Sequence, residues 1–509
     1  MNHAPHPPIR VAFVMHKMQV AGAEVLVKQI IERLGDQIEA TIFCLDDVGE
    51  LGYQLRDQGV PVIVLDRKPG FDAEVPRRMA GEIRDRGIQV LHAHQYTPFF
   101  YSALARLRHR AKSKILFTEH GRHYPDVISW KRHMANRWLL NRYADITTAC
   151  CDFSTKALRE IEGFPDAFTL ANGVDLAELP PRGDEAHRNA LRQKLGLDPD
   201  RPYAACIARF HIVKDHATLI RAWARVHEKL PEAQLLLVGD GEERQNIETL
   251  IDDLQRAGVQ ALAATPDRNA EAPKGCTPTS AGVQALAATP DRNASSPPQR
   301  EASATGAPPQ RDASASVATP QRDASATGAT PQSPKSHPPL QGGSSAARGG
   351  SPASVIPTDP LAPTHAPLAD ASRWHSSIRF LGIRDDVGDI LRAVDVFTLT
   401  SVSEAASLTL LEAMASECPS VVTDVGGNSE HLRQGIDGYL VPRADDTALA
   451  GRLLELLTDP ALAHQFGQSA RQQVQQHFNL SGAVDKYHDL YQQLAPQSST
   501  TRRALAATT

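Results

Sequence analysis

Apart from one stretch near its middle, the chain is a near-unbroken alternation of short apolar runs and longer amphipathic stretches, and few folds satisfy that pattern. In the first half, Val11–Met15, Ala40–Leu45, Val60–Leu65, Val90–His94, Ile115–Glu119 and Ile146–Ala149 read as strands, with helical stretches such as Ala23–Leu34 and Val75–Arg86 between them. In the second half, Tyr203–Ala208, Ala233–Val238, Ile378–Leu381, Val394–Leu399 and Ser420–Thr423 read as strands, and Asp215–Lys229, Asp386–Arg392 and Leu408–Ser416 as helices. Such alternation implies parallel sheets covered by helices on both faces. Two series in one chain predict an α/β protein of two doubly wound, Rossmann-like domains facing across a cleft. We place their boundary in the proline-marked segment Leu179–Pro202. Ligands of such sheets sit outside the carboxyl ends of the strands, so the loops there are where chemistry is expected.

The exception is the stretch 257–373, which contains no Phe, Tyr or Trp and holds 18 of the 36 prolines. Residues Ala257–Ala270 recur identically at Ala281–Ala294, and Pro-Gln-Arg-rich units follow. This composition cannot bury enough apolar surface to offset chain entropy, so we expect a disordered insertion. The expected organisation is therefore 9–180 for the first domain and 181–256 with 374–480 for the second. A terminal helix covers 481–495 and a disordered tail 496–509.

Composition excludes several classes. At 509 residues with a net charge of −5, the chain has no global sign of nucleic-acid binding. Its six cysteines are scattered without C-x-x-C spacing and read as reduced thiols. No apolar run approaches the roughly 20 residues of a membrane span. The N-terminal residues lack the pattern of a signal peptide, so we expect a cytoplasmic protein.

Four constellations stand out at strand ends. Glu404 and Glu412 lie eight positions apart, spanning a strand end, a loop and the start of a helix at Leu408. A helix start collects anions through its free N–H groups and dipole, while carboxylates accept hydrogen bonds from sugar and ribose hydroxyls. Arg209 and Lys214, just past another strand, have the charge to meet a diphosphate and stabilise its departure. The turn at Gly239-Asp240-Gly241 lets backbone approach a ligand, and Gly22 joins the first strand to the first helix. His94 and His120 lie at strand ends where they face the cleft; His92 lies nearby. No histidine pair has a metal-site spacing, so no metal is expected.

In this order, with Asn172-Gly173-Val174-Asp175, Phe380-Leu381-Gly382 and Gly426-Gly427 before Glu430, these residues resemble glycosyltransferase family 4, a family of retaining enzymes with the GT-B fold. The resemblance implies a first domain that holds the acceptor and a second that holds the nucleotide-sugar. Position by position, it implies that Glu412 holds the ribose and that Glu404 lies near the transferred sugar. Arg209 and Lys214 would contact the diphosphate, His120 the reaction centre, and Gly22 the phosphates or acceptor. Gly239, Ser407 and Leu408 join the donor-binding set. It also implies one last helix, about Ala461–Leu494, crossing back to the first domain. Family members often read Glu-Gly-Phe-Gly where this chain has Glu404-Ala405-Ala406-Ser407, which leaves donor identity open.

The function so implied is transfer of a sugar from a UDP- or GDP-linked donor to a glycan or lipid-linked acceptor in cell-surface polysaccharide or glycolipid synthesis, with no cofactor. An epimerase on the same fold and a non-catalytic scaffold that uses the insertion are the alternatives. The basic, tryptophan-containing stretch Trp130–Arg142, with Arg106–Lys114, also reads as a peripheral contact with an anionic membrane face; an ordinary packed helix is the competing reading.

Overall fold

In a computed structural model of the protein, which describes residues 7–121, 129–257 and 371–495, the alternation resolves into two parallel sheets. Residues 258–370 of the expected insertion and the expected tail therefore lie outside the described residues, while the insertion's ends at Ala257 and 371–373 are helical. The first sheet contains β1 (Ile9–Met15), β2 (Ile38–Cys44), β3 (Val62–Val64), β4 (Val90–His94), β5 (Lys114–Glu119), β6 (Ile146–Ala149) and β7 (Phe168–Thr169), in the order β3-β2-β1-β4-β5-β6-β7. The second contains β8 (Tyr203–Ile207), β9 (Gln234–Val238), β10 (Ile378–Gly382), β11 (Val396–Leu399), β12 (Ser420–Thr423) and β13 (Gly438–Val441), in the order β10-β9-β8-β11-β12-β13. The strand ends agree with the sequence reading to within two residues; β13 covers the short apolar run 439–441, and the two-residue β7 is additional.

Both orders reverse direction once. β1 is flanked by β2 and β4, and β8 by β9 and β11. Each sheet is packed on both faces, as its apolar strands require. Along β8, Ala204 and Cys206 face a core with Trp223 and Leu453, while Tyr203, Ala205 and Ile207 face one with Ile390, Leu411 and Met414.

The single long terminal helix is not observed. Two helices, Pro460–His477 and Leu480–Leu494, are separated at Phe478-Asn479. The break has a local cause. The Phe478 carbonyl accepts from Val174 N–H at 2.9 Å, and Leu480 N–H donates to the Val174 carbonyl at 3.1 Å. The Asn479 side chain caps the next helix by accepting from Ser481 N–H at 2.9 Å. Gly173 makes this joint fit, since a Cβ there would sit 2.5 Å from Leu480 N. The chain thus crosses to the second lobe at Val174 and returns beside that point at Asn479. The first crossing lies just ahead of the proline-marked segment, and the helix within that segment, Glu185–Lys194, already packs Leu191 into the second-lobe core. Leu480–Leu494 then lays Val484, Tyr487 and Tyr491 against Phe13, Val27 and Ile30 of the first lobe.

One ionic cluster ties the entry into the second lobe to its sheet. Asp395, just before β11, accepts from Arg192 Nη2 at 2.7 Å, Arg188 Nη1 at 3.0 Å and the Tyr203 N–H at 2.7 Å. Arg192 is almost wholly buried, and burial pulls its pKa down, with Asp395 opposing that effect. Removing one partner of such a group strands the other charge. Asp395→Ala is expected to cost about 3–5 kcal/mol, read as a lower urea midpoint at unchanged slope.

Candidate active site

The strand-order reversals bring the sequence candidates together. β8 and β11 are neighbours, with Ala204 opposite Val396 and Ala205 opposite Phe397, so the loops leaving their carboxyl ends emerge side by side. One carries Arg209 and Lys214, the other Glu404. The loops are stitched together: Val402 N–H donates to the Val213 carbonyl at 2.8 Å, and Thr400 Oγ1 donates to the carbonyls of Lys214 (3.0 Å) and Asp215 (2.9 Å). Lys214 ends a single 3₁₀ turn because Asp215 leaves it in a left-handed conformation and caps the next helix through Thr218 N–H at 3.2 Å. Lys214 Nζ then reaches Glu404 Oε2 at 2.6 Å, and Ser401 Oγ donates to the same oxygen at 2.8 Å. Arg209 is exposed two residues beyond β8.

The helix Leu408–Ala415 follows directly. Ser407 is its N-cap and accepts from Leu410 N–H at 3.3 Å. The N–H groups of Leu408 and Thr409, in the first turn, have no carbonyl four residues back to donate to. Glu412 lies one turn further on. Burial pushes its carboxyl up to about 7. It lines a cavity of about 230 Å³ together with Leu408, Gly388 and Asp385 from the second lobe, Asp175 at the crossing, and Gln29 from the first helix.

The first lobe forms the opposite wall. A Cβ at Gly22 would come 3.3 Å from Leu408 Cδ1, so the turn after β1 abuts the start of the Glu412 helix. Gly121 has φ +110° and faces Ala405 so closely that any side chain there would collide with its Cβ. This contact sets His120 against the Glu404 loop. His120 Nε2 shares a 2.7 Å hydrogen bond with His94 Nδ1. Burial lowers His120 to about 4 and His94 well below its usual value, so both rings are neutral near pH 7. The remaining ring nitrogen of each, His120 Nδ1 and His94 Nε2, is buried with no hydrogen-bond partner among the described residues.

Other candidates are placed differently. His92 is buried beneath the site and bonds Tyr491 Oη at 2.7 Å and Thr118 Oγ1 at 2.8 Å, which makes it part of the seat for the last helix. Gly239 is at the second-sheet edge of the site, but its N–H is taken by the Gly382 carbonyl at 2.8 Å and is not available to a phosphate.

Two further residues gain a defined setting only in the structure. Glu24, in the first turn of the Gly22–Leu34 helix, is buried, and desolvation raises its pKa against the opposing influence of its own backbone N–H and Lys17. A carboxylate on the apolar side of that helix was the available sequence signal. Glu430 crosses between lobes: its oxygens accept from Asp152 N–H at 2.6 Å and Phe153 N–H at 2.7 Å, at the start of the Asp152–Ala157 helix. No local pattern announces that pairing.

Comparison with known proteins decides the family. The glycosyltransferase family 4 model matches residues 20–178, and two glycosyl transferases group 1 models match residues 187–269 and 358–459. The chain belongs to glycosyltransferase family 4. Among relatives of this family 4 chain, the N-acetyl-alpha-D-glucosaminyl L-malate synthase of Bacillus anthracis is 37% identical over 114 residues, 22% of this chain and 30% of that one. The UDP-Gal:alpha-D-GlcNAc-diphosphoundecaprenol alpha-1,3-galactosyltransferase of Escherichia coli is 33% identical over 111 residues, 22% of this chain and 28% of that one. The matches thus span about a third of the length of these curated relatives. Among solved structures, the Anabaena protein Alr3699/HepE in complex with UDP superposes with a TM-score of 0.64 at 16% identity, covering 95% of this chain and 100% of that one. At that identity the likeness establishes the two-lobed GT-B fold.

The cap at Ser407 is a direct measure of the departure from the family pattern. Ser407→Ala is expected to destabilise the second lobe by about 1 kcal/mol, and Ser407→Gly, which inserts the residue family members often carry, by only a few tenths, in paired chemical denaturation curves.

Proposed function

We propose that the protein is a retaining, metal-independent glycosyltransferase that moves a sugar from a nucleotide-sugar, UDP- or GDP-linked, to a glycan or lipid-linked acceptor in cell-surface polysaccharide or glycolipid synthesis. The observation that carries this reading is the convergence of Arg209, Lys214, Glu404 and the Leu408 helix start at one strand-order reversal, with Glu412 in the adjoining cavity and His120 opposite. The relatives support it: one is named for a UDP-Gal donor and a diphosphoundecaprenol acceptor, and HepE was crystallised with UDP.

In this reading the ribose hydroxyls donate to Glu412 and the diphosphate meets the N–H groups of Leu408 and Thr409. Arg209 and Lys214 lie on its other side. The acceptor hydroxyl attacks the anomeric carbon from the face on which the diphosphate departs. The new C–O bond forms as the sugar–phosphate bond breaks, and the hydroxyl proton passes to the departing phosphate oxygen. The cations and helix start take up the charge that develops there, and preorganised donors of this kind commonly contribute ~3–4 kcal/mol each. Lys214 is held ready by Glu404, which also faces the transferred sugar. His120 Nδ1 offers a neutral hydrogen-bonding group to the donor sugar. We place the reaction at the cytoplasmic face of a membrane, met from one side; among the described residues no helix is long and apolar enough to cross it.

Two experiments test the reading. In a thermal-shift screen against UDP-, GDP- and ADP-sugars, one nucleotide class should stabilise the protein, and Lys214→Ala and Glu412→Ala should each lower transfer from that donor by about a hundredfold or more with the unfolding midpoint retained. Wild-type rates in both variants would overturn the assignment. The second is pH. Glu412 ionises near 7 in the folded state, above its unfolded value, so its contribution to stability is present in acid and lost as pH rises through 7. Ribose hydroxyls are held by the ionised form, so affinity for the nucleoside diphosphate should rise about tenfold from pH 6 to pH 8. Glu412→Gln should remove that component of the profile in calorimetric titrations.

A further inference from the structure

The Trp130–Trp138 helix of the first lobe has its polar side inward. Asn136 is fully buried, donating to the Glu162 carbonyl at 2.8 Å and accepting from Tyr96 Oη at 2.8 Å. Arg132 Nη2 donates to the Glu162 carboxylate at 2.8 Å, and His133 Nδ1 bonds the Ile161 carbonyl at 3.0 Å. The apolar side faces out. Trp130, Met134 and Trp138 are 71%, 44% and 63% exposed and stand four residues apart, which aligns them in one stripe; Leu139, the C-cap that follows, is also 44% exposed. At 100° per residue, Lys131 and Arg137 fall on the two edges of that stripe, and both are exposed. From Ser129 to Ala144 there is no acidic residue.

A helix whose only duty was to pack on the lobe would turn these faces the other way. Leaving two tryptophans and a methionine in water forgoes the transfer free energy of their area, and contiguous exposed apolar surface marks an interaction site. The chain's other two tryptophans, Trp223 and Trp374, are completely buried. The charge pattern selects the partner. A protein surface would need a matching apolar groove rimmed with acids, whereas an anionic bilayer supplies both requirements at once: its headgroups meet Lys131 and Arg137, and its interfacial region takes the indole rings. At 1.5 Å per residue the nine-residue helix is about 14 Å long, suited to lying along the interface.

From this inverted face we infer that Trp130, Met134, Trp138 and Leu139, flanked by Lys131 and Arg137, form the protein's docking surface for an anionic lipid bilayer. The helix lies in the connection between β5 and β6, and that connection leaves the end of β5 that carries His120. Docking through it holds the first lobe, the acceptor side, at the membrane. The surface stands on its own geometry and does not depend on the transfer reaction.

The test uses the full-length protein and sedimentation with vesicles of phosphatidylcholine alone or with one-third phosphatidylglycerol. Binding should require phosphatidylglycerol, weaken in high salt, and shift the tryptophan emission to the blue. The exposed side chains tolerate substitution, so thermal melts of the variants should match wild type. Trp130→Ala/Trp138→Ala should abolish the emission shift and weaken binding about tenfold or more. Lys131→Glu/Arg137→Glu should remove the preference for anionic vesicles. Equal binding to both vesicle types, or binding unchanged in the double tryptophan variant, would overturn the inference. So would a concentration-dependent dimer that the same variant dissolves, because a second copy of the chain would then cover the stripe.

Discussion

When successive crossovers of a parallel sheet run first to one side and then to the other, two neighbouring strands must send their outgoing chains to opposite faces. The carboxyl ends of those two strands are then left with a gap that no crossover covers. Here that happens at β1/β4 and at β8/β11, and the residues that matter sit at those gaps. Gly22 follows β1, His94 ends β4, Arg209 and Lys214 follow β8, and Glu404 follows β11. Any change in strand order would disperse them. The Lys214–Glu404 ion pair therefore depends on β8 lying directly beside β11, although the two residues are 190 positions apart in sequence.

The two gaps face each other through a small number of close contacts. Gly22 meets Leu408, Gly121 meets Ala405, and the Glu430 carboxylate accepts two N–H groups from the opposite lobe. The contacts differ in kind, and the difference matters. The glycine contacts are steric and set the distance between the walls. The Glu430 contact is electrostatic and directional, a carboxylate against the positive end of a short helix. Beneath them, the His94–His120 pair rests on His92, whose hydrogen bond to Tyr491 ties that floor to the last helix.

Much of this was legible in the sequence because the physics is local. Fully apolar runs of five or so residues identified the sheets. The helices capped by Asp215 and Ser407 begin within one residue of where the sequence pattern starts them, which locates the site-bearing loops. What could not be read was non-local. The break at Phe478-Asn479 is marked locally by the capping Asn479 and by Ser481-Gly482, but the backbone pairing with Val174 that fixes it spans more than 300 residues. The roles of His92 and Glu430 were hidden for the same reason: each is defined by a partner that periodicity does not specify. Gly239 shows a subtler limit. Its place at a turn was evident, but whether its N–H was free or taken by Gly382 depended on the neighbouring strand. The outward stripe on the Trp130 helix was visible as composition. Only the burial of Asn136 and the anchoring of Arg132 to Glu162 fixed which side faces the solvent.

The two places where the chain passes between lobes lie against each other at Val174 and Asn479, joined by backbone hydrogen bonds. Two covalent links set side by side act like the pins of a door. They resist sliding and shear, but they allow a swing about the line through them. The fold thus limits the lobes largely to one degree of freedom, and the cleft opens widest at the rim farthest from those pins.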